Sequence, residues 1–308
     1  MQPHAPEPIP EPIHIYLTDQ VLAIHARTVV SGPTTRPSLA VLWTESGKPF
    51  HIGDGAGRQW CGDAAIVSQN TLRSLQVDDA GLLSVNFEPG HPMLPALTGL
   101  VGKQAIQPID RRVVHAFTHE LSAAIQRKSV DDLDALATEL AGALARGVRC
   151  GAQIDGRVRD ALASLRRNPV SPPSVDGLAR ESHLSADRLS RLLAEALGVP
   201  YKSYVLWLKY RRALGMLGQD GTLTHIAQAA GFFDQPHMTR AFMQYFGYLP
   251  SQIRQQGVVL TEHTLAATSR QAQTQGFPHP VDAGCVQAAK TRSDDNAPAL
   301  APCKRAAA

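Results

Sequence analysis

The sequence predicts a two-domain α+β protein, with an N-terminal β-barrel bearing a helical hairpin and a C-terminal all-α domain with two helix-turn-helix motifs. Three observations predict it. Short apolar runs separated by turn residues fill the first part of the 308-residue chain. Two stripes of helical period follow, and a pattern between residues 178 and 250 then occurs twice. With 44% hydrophobic residues, the chain can bury two cores.

Residues 1–12, MQPHAPEPIPEP, are too proline-rich for regular structure and read as a flexible arm. Short strands are expected at Ile13–Leu17, Gln20–Ala26, Ser38–Trp43, Phe50–Ile52, Ala64–Val67, Leu72–Val77 and Leu82–Phe87. Turn signals such as Ser31-Gly32-Pro33 and Gly53-Asp54-Gly55 separate them, which is the spacing of an all-β sandwich or barrel. Val113, Val114, Phe117, Leu121 and Ile125 then form one helical stripe within Asp110–Ile125. Leu133, Leu136, Leu140 and Leu144 form a second within Val130–Leu144, and the pair reads as a hairpin. These elements make a domain over 13–147. A link at Arg146–Asp155 leads to a helical domain over 155–256, opening with a helix at Arg157–Arg166. Residues 257–308, poor in aromatic side chains, are expected to be mostly disordered, with a short helix at Thr264–Gln273.

The repeat carries the functional reading. Leu178-Ala179 matches Ile226-Ala227, and Ser185, Leu189, Ser190, Arg191 and Leu193 match Asp234, Met238, Thr239, Arg240 and Phe242. Leu197-Gly198 and Pro200 match Phe246-Gly247 and Pro250. Each copy is thus a short helix, a turn, and a second helix opened by a side-chain cap, Ser185 or Asp234. The second helices bury Leu189, Leu192, Leu193 and Leu197 or Ala196 in one copy and Met238, Phe242, Tyr245 and Phe246 in the other. Their outward faces carry Asp187, Arg188, Ser190 and Arg191, and Gln235, His237, Thr239 and Arg240. Arginine and glutamine pair bidentately with guanine and adenine edges in the major groove, so these eight residues are the candidate readers of double-stranded DNA. The run Tyr201–Leu217 forms one helix about 25 Å long, suited to holding two reading helices near one duplex turn apart.

The stretch from about Arg157 to Arg254 resembles the DNA-binding domain of AraC-type (AraC/XylS) transcription regulators. The second copy carries the resemblance, through Ile226-Ala227, Gly231-Phe232, Gln235, Thr239 to Phe242, Phe246-Gly247 and Pro250. The first copy is looser, with Leu193 where an aromatic residue is common. The resemblance implies a sequence-specific regulator, an activator responding to a small-molecule effector and working as a cytoplasmic homodimer, with RNA polymerase as a further partner. It also implies a cupin-like effector-binding and dimerisation domain in the N-terminal position.

Charge is distributed in keeping with this. The net charge is −3 over residues 1–154, +5 over 155–256 and +1 beyond, so the basic field coincides with the repeat. No apolar run is long enough for a bilayer and the N-terminus lacks the pattern of a signal peptide, so no membrane partner is expected. Cys61, Cys150, Cys285 and Cys303 have neither zinc nor disulfide spacing. His14, His25, His51 and His91 are isolated, so the paired histidines of a cupin metal centre are missing, and neither metal, cofactor nor catalytic residue is assigned. Trp43, His51, Trp60 and Cys61 are the candidate effector contacts. Two further readings are a ligand-independent regulator acting through protein contacts and a cupin enzyme tethered to DNA.

Overall fold

The computed structural model describes residues 13–255, apart from 103, 128, 149–154 and 168–170, together with the strand 259–262. The expected arm, the helix at 264–273 and the rest of the tail lie outside the described residues. The strands of the N-terminal domain are β1 (His14–Leu17), β2 (Val21–Ala26), β3 (Val29–Thr34), β4 (Leu39–Thr44), β5 (Phe50–Asp54), β6 (Gln59–Gly62), β7 (Ala64–Val67), β8 (Arg73–Val77) and β9 (Leu82–Phe87). Helix α1 (Leu94–Val101), strand β10 (Ile106–Pro108) and helices α2 (Arg111–His115), α3 (Thr118–Arg127) and α4 (Val130–Leu144) complete it.

The strands form two sheets. The larger has the order β10-β7-β4-β9-β2-β1, extended at its β1 edge by β11 (Val259–Glu262), and the smaller has the order β3-β8-β5-β6. Side chains alternate across a strand, so β1, β2, β4, β7 and β9 of the large sheet each feed two cores. Leu22, Ile24, Ala40 and Leu42 face one core together with Phe50, Ile52, Trp60 and Val77 of the small sheet. Val21, Ala23, Val41 and Trp43 face the other, against Leu97, Leu121, Leu133 and Leu140 of the helices. With both faces covered, β4 and β9 are buried at every position.

All seven expected strands are present, and the differences have local causes. Ser31-Gly32-Pro33, read as a turn, lies inside β3, an edge strand whose pairing with β8 shifts register between Ser31 and Thr34. Glycine and proline are tolerated there because an edge strand with an irregularity leaves one set of backbone donors unpaired. The expected helix Asp110–Ile125 is broken into α2 and α3, where Phe117 N–H bonds Val114 and the Thr118 hydroxyl accepts a 3.0 Å bond from Trp43 Nε1. The tail does not lose order at once after 257, since β11 runs parallel to β1 with Val259 opposite His14.

The second domain comprises α5 (Gly156–Arg167), α6 (Val175–Glu181), α7 (Ala186–Leu197), α8 (Tyr201–Met216), α9 (Leu223–Ala229), α10 (Gln235–Tyr245) and α11 (Pro250–Gln255). Tyr204, Trp207, Tyr210, Phe242 and Tyr245 form its centre, with the Tyr210 ring 5.1 Å from Trp207 and 4.9 Å from Phe242. This core is continuous with the inter-sheet core of the first domain.

The seam between the domains is polar and specific. Glu88, 2% exposed, accepts a 2.6 Å bond from Trp207 Nε1 and lies 3.2 Å from Arg211. The first domain also holds the C-terminal ends of α7 and α10. Gln69 Nε2 donates to Leu197 O at 2.8 Å and Asn70 Nδ2 to Gly198 O at 3.0 Å. Thr35 N donates to Gln244 O and Arg36 Nε to Tyr245 O, both at 2.8 Å. Carbonyls left over at a helix C-terminus are satisfied this way, and the guanidinium also complements the helix dipole. The repeated glycines belong to the same seam. Gly198 (φ 67°) and Gly247 (φ 86°) are left-handed, and a Cβ would lie 2.6 Å from Gln69 Oε1 at the first and 3.1 Å from Thr34 Cγ2 at the second. Glycine therefore permits both the turn and the close approach.

Candidate nucleic-acid interface

Side-chain caps open all four helices of the repeat. Ser174 Oγ accepts from Gly177 N at 3.1 Å and Ser185 Oγ from Arg188 N at 3.3 Å. Thr222 Oγ1 accepts from His225 N at 3.1 Å and Asp234 Oδ1 from His237 N at 2.7 Å. Each satisfies an orphan donor of the first turn and fixes the angle at which its helix leaves the preceding turn. The sequence reading of Ser185 and Asp234 as caps agrees with this geometry.

Helix α7 buries Leu189, Leu193 and Leu197 and exposes Asp187, Arg188, Ser190 and Arg191. Leu192, expected in the core, is half-buried at the margin. Helix α10 buries Met238, Ala241, Phe242 and Tyr245, and Arg240 stands exposed on its other side. Gln235, His237 and Thr239 are half-buried. Gln235 Oε1 accepts a 3.0 Å bond from Thr224 Oγ1, which ties the start of α10 to α9. The His237 ring meets Phe232 edge-on, 5.2 Å between centroids. Five of the eight predicted readers are thus exposed, and three are half-buried, Gln235 against α9 and His237 against the turn that follows α9.

Two features were not anticipated. Phe233 is 89% exposed in the turn just before the Asp234 cap. Its signal in the sequence is the doublet Phe232-Phe233, of which only Phe232, 4% exposed, has a place in the core. Several basic residues of the domain are occupied internally. Arg212 Nε donates to Ala229 O at 3.1 Å, and Arg254 donates to Leu217 O at 3.3 Å and Gly221 O at 2.8 Å. These arginines hold helix ends, and no count of charges separates them from Arg240.

With this geometry in place, comparison with known proteins is specific. A family described as a helix-turn-helix domain matches residues 178–256, the span of both helix pairs. The chain is 31% identical over 102 residues to the HTH-type transcriptional activator RhaS of Escherichia fergusonii, a match covering 33% of this chain and 37% of RhaS. It is 29% identical over 100 residues to the HTH-type transcriptional regulator GbdR of Pseudomonas aeruginosa, covering 32% of this chain and 27% of GbdR. The C-terminal domain matches a helix-turn-helix domain family. The chain spans about a third of the length of the curated relatives it matches. Likeness to solved structures reaches further. The apo form of a ToxT point variant from Vibrio cholerae aligns with a TM-score of 0.53 at 10% identity, over 78% of this chain and 98% of ToxT. A wild-type ToxT structure described as bound to an unsaturated fatty acid aligns at 0.51, also at 10% identity, over 79% of this chain and 98% of that one. At that identity the likeness concerns the fold, a β-rich domain followed by a helical domain.

The four candidate effector contacts are not brought together. Trp43 is fully buried on the helix-facing side of the large sheet, bonded to Thr118. Trp60 lies between the sheets, 5.4 Å from Phe50. His51 and Cys61 are paired across β5 and β6, on the opposite side of the small sheet from their inward neighbours Phe50, Ile52 and Trp60. A period of two separates neighbouring residues onto opposite faces, so Trp60 and Cys61 cannot line one pocket. Two residues absent from that set, Arg36 and Arg73, line the space between the sheets next to the seam.

Proposed function

We propose that the protein is a sequence-specific DNA-binding transcription regulator in which α7 and α10 enter successive major grooves of one duplex face. The observation carrying this reading is the repetition of one device. In each copy a capped helix turns a polar, arginine-bearing face to solvent and has its C-terminal end anchored to the β domain. Helix α8, with 16 residues and a length of about 24 Å, supplies the spacing between the copies. Arg188, Arg191 and Arg240, with Ser190, Thr239, Gln235, His237 and Asp187, are the residues assigned to the interface. Phosphate contacts set affinity and register, and base-edge contacts set selectivity.

Promoter activation, dimerisation through the β domain, a cytoplasmic location and contact with RNA polymerase belong to the same reading. RhaS, named as an activator, supports the first. Response to a small-molecule effector is supported by the ToxT structure described as fatty-acid bound. The reading is tested by selecting bound sequences from a random duplex pool with the full-length protein and following affinity against salt. Two short preferred blocks, centred about one helical turn apart, are expected. Enrichment of a single block removes α7 from the reading role, and no enrichment overturns the proposal.

A further inference from the structure

The turns of the two helix pairs differ by one residue. In each pair a backbone N–H after the first helix returns to the matching carbonyl, Leu184 N to Ala179 O at 2.9 Å and Phe232 N to Ala227 O at 2.8 Å. Each of these residues follows a left-handed one, His183 (φ 54°) or Gly231 (φ 85°). Each also turns its side chain inward, Leu184 packed against the core and Phe232 buried within it. Leu184 and Phe232 are therefore equivalent. The cap Ser185 directly follows Leu184, whereas one residue stands between Phe232 and the cap Asp234. That extra residue is Phe233. Phe232 already fills the core place at this turn, and Phe233 is left 89% exposed, against 45% for Leu72, the other exposed large apolar side chain among the described residues. An apolar side chain stabilises a fold by leaving water, so this ring contributes little to the fold it stands on.

The place of the insertion points to its use. Phe233 stands directly before the first turn of α10, and the N-terminal residues of a reading helix are the ones that reach base edges. Part of that turn is apolar as well. Pro236 is exposed and carries no N–H, and Gln235 Oε1 is already bonded to Thr224. An apolar group on the DNA is the complement of this end of the helix. In the major groove that group is the 5-methyl of thymine, which a phenylalanine ring can contact. We propose that Phe233 is a specificity-determining residue that covers the 5-methyl group of a thymine in the block read by α10. This rests on the regulator reading and adds to it a base and the chemical group recognised. The first helix pair lacks the extra residue, so the methyl dependence due to Phe233 is confined to one of the two blocks.

The test replaces thymine by deoxyuridine, one position at a time, in the duplex recovered from the random pool, and measures the affinity of the full-length protein by competition. The exchange removes the 5-methyl group and leaves base pairing and the hydrogen-bonding edges as they were. Covering one methyl group is worth a factor of about four, so one position is expected to lose about three- to tenfold in affinity. Phe233→Ser is expected to bind the thymine duplex more weakly by a similar factor and to bind the thymine and deoxyuridine duplexes equally, the signature of two groups that act through one contact. Should the serine variant fail to fold, Phe233→Gln takes its place under the same expectations. A flat deoxyuridine series with the unaltered protein, or a selected site without thymine, overturns the proposal. A methyl effect that persists undiminished in Phe233→Ser gives the methyl group to another side chain and overturns it equally. Unchanged affinity of Phe233→Ser for the thymine duplex overturns it and leaves the ring to a protein partner. Absence of any enriched site removes the regulator reading and this proposal together, whereas an enriched site with a flat series removes this proposal alone.

Discussion

Arg240 and Phe233 test the interface from two chemical sides. Arg240 is exposed on α10, so Arg240→Ala leaves the fold intact and weakens binding to the selected site by about 1–3 kcal/mol if the side chain reads a base. An equal loss on unrelated duplexes, measured in parallel by competition, assigns it to phosphate instead. Phe233 is exposed at the mouth of the second helix pair, so its packing contributes little to stability. Phe233→Ser is expected to leave the melting temperature unchanged and to lower DNA affinity, and a fall in stability with unchanged affinity refutes a contact role. His91 reports on the β domain. Burial pushes its imidazole down to about 4, its Nδ1 accepts from Met93 N at 3.1 Å, and Phe87 stands edge-on to its ring. An ordinary histidine titrates near 6.5, so as pH falls the unfolded chain takes up the proton first. Stability from this group is retained above about pH 6.5 and declines toward pH 4 by roughly 3 kcal/mol. Urea unfolding of His91→Asn at several pH values is expected to show a flatter profile over that interval.

At the scale of elements, helix starts were legible because capping is local chemistry. Ser185 and Asp234 lie next to the helices they open, and each accepts from the backbone three residues on. Ser185→Ala and Asp234→Ala are each expected to cost about 1 kcal/mol in chemical unfolding and to lower DNA affinity through misplaced first turns. Strand positions were legible for the same reason, since period-two runs such as Leu82–Phe87 declare themselves. Elements with weak local signals were not. Gln59–Gly62 and Val29–Thr34 become strands only because partners stand beside them, Gln59–Gly62 against β5 and Val29–Thr34 against β8. The apolar stripe from Val113 to Ile125 gave no sign of its break, because the period continues through the interruption.

Across the whole molecule, the buried pair Glu88–Arg211 joins the domains and makes their docking a property that can be perturbed. Arg211 holds Glu88 at 3.2 Å and also donates to Val21 O at 3.1 Å, so one side chain bridges two points of the β domain. Arg211→Met takes this cation away from the buried Glu88 carboxylate and leaves the Trp207 indole bond in place, a change expected to cost about 2–5 kcal/mol of docking. Small-angle scattering is expected to show a larger radius of gyration for this variant, and an unchanged radius with normal stability refutes the seam's role. Because Thr35, Arg36, Gln69 and Asn70 hold the ends of both α7 and α10, loss of docking is expected to alter DNA affinity even though none of the residues proposed to read DNA is touched.

Sequence by itself determined the repeat, its caps, the outward arginines and the succession of a β-rich domain by a helical one. All of these rest on spacings within one strand or helix and on the side chains' own chemistry. Only the tertiary structure decided which of the basic residues remain available. Arg212 and Arg254 close helix ends, Arg211 closes the seam and Arg73 is carried between the sheets, whereas Arg188, Arg191 and Arg240 stand in solvent. The same holds for the pocket, since Trp43 faces the helices, Trp60 lies between the sheets, and His51 and Cys61 share the other side of the small sheet. An arginine's role depends on what lies across from it. That partner is often more than a hundred residues away, as Glu88 is from Arg211, beyond the reach of any local pattern.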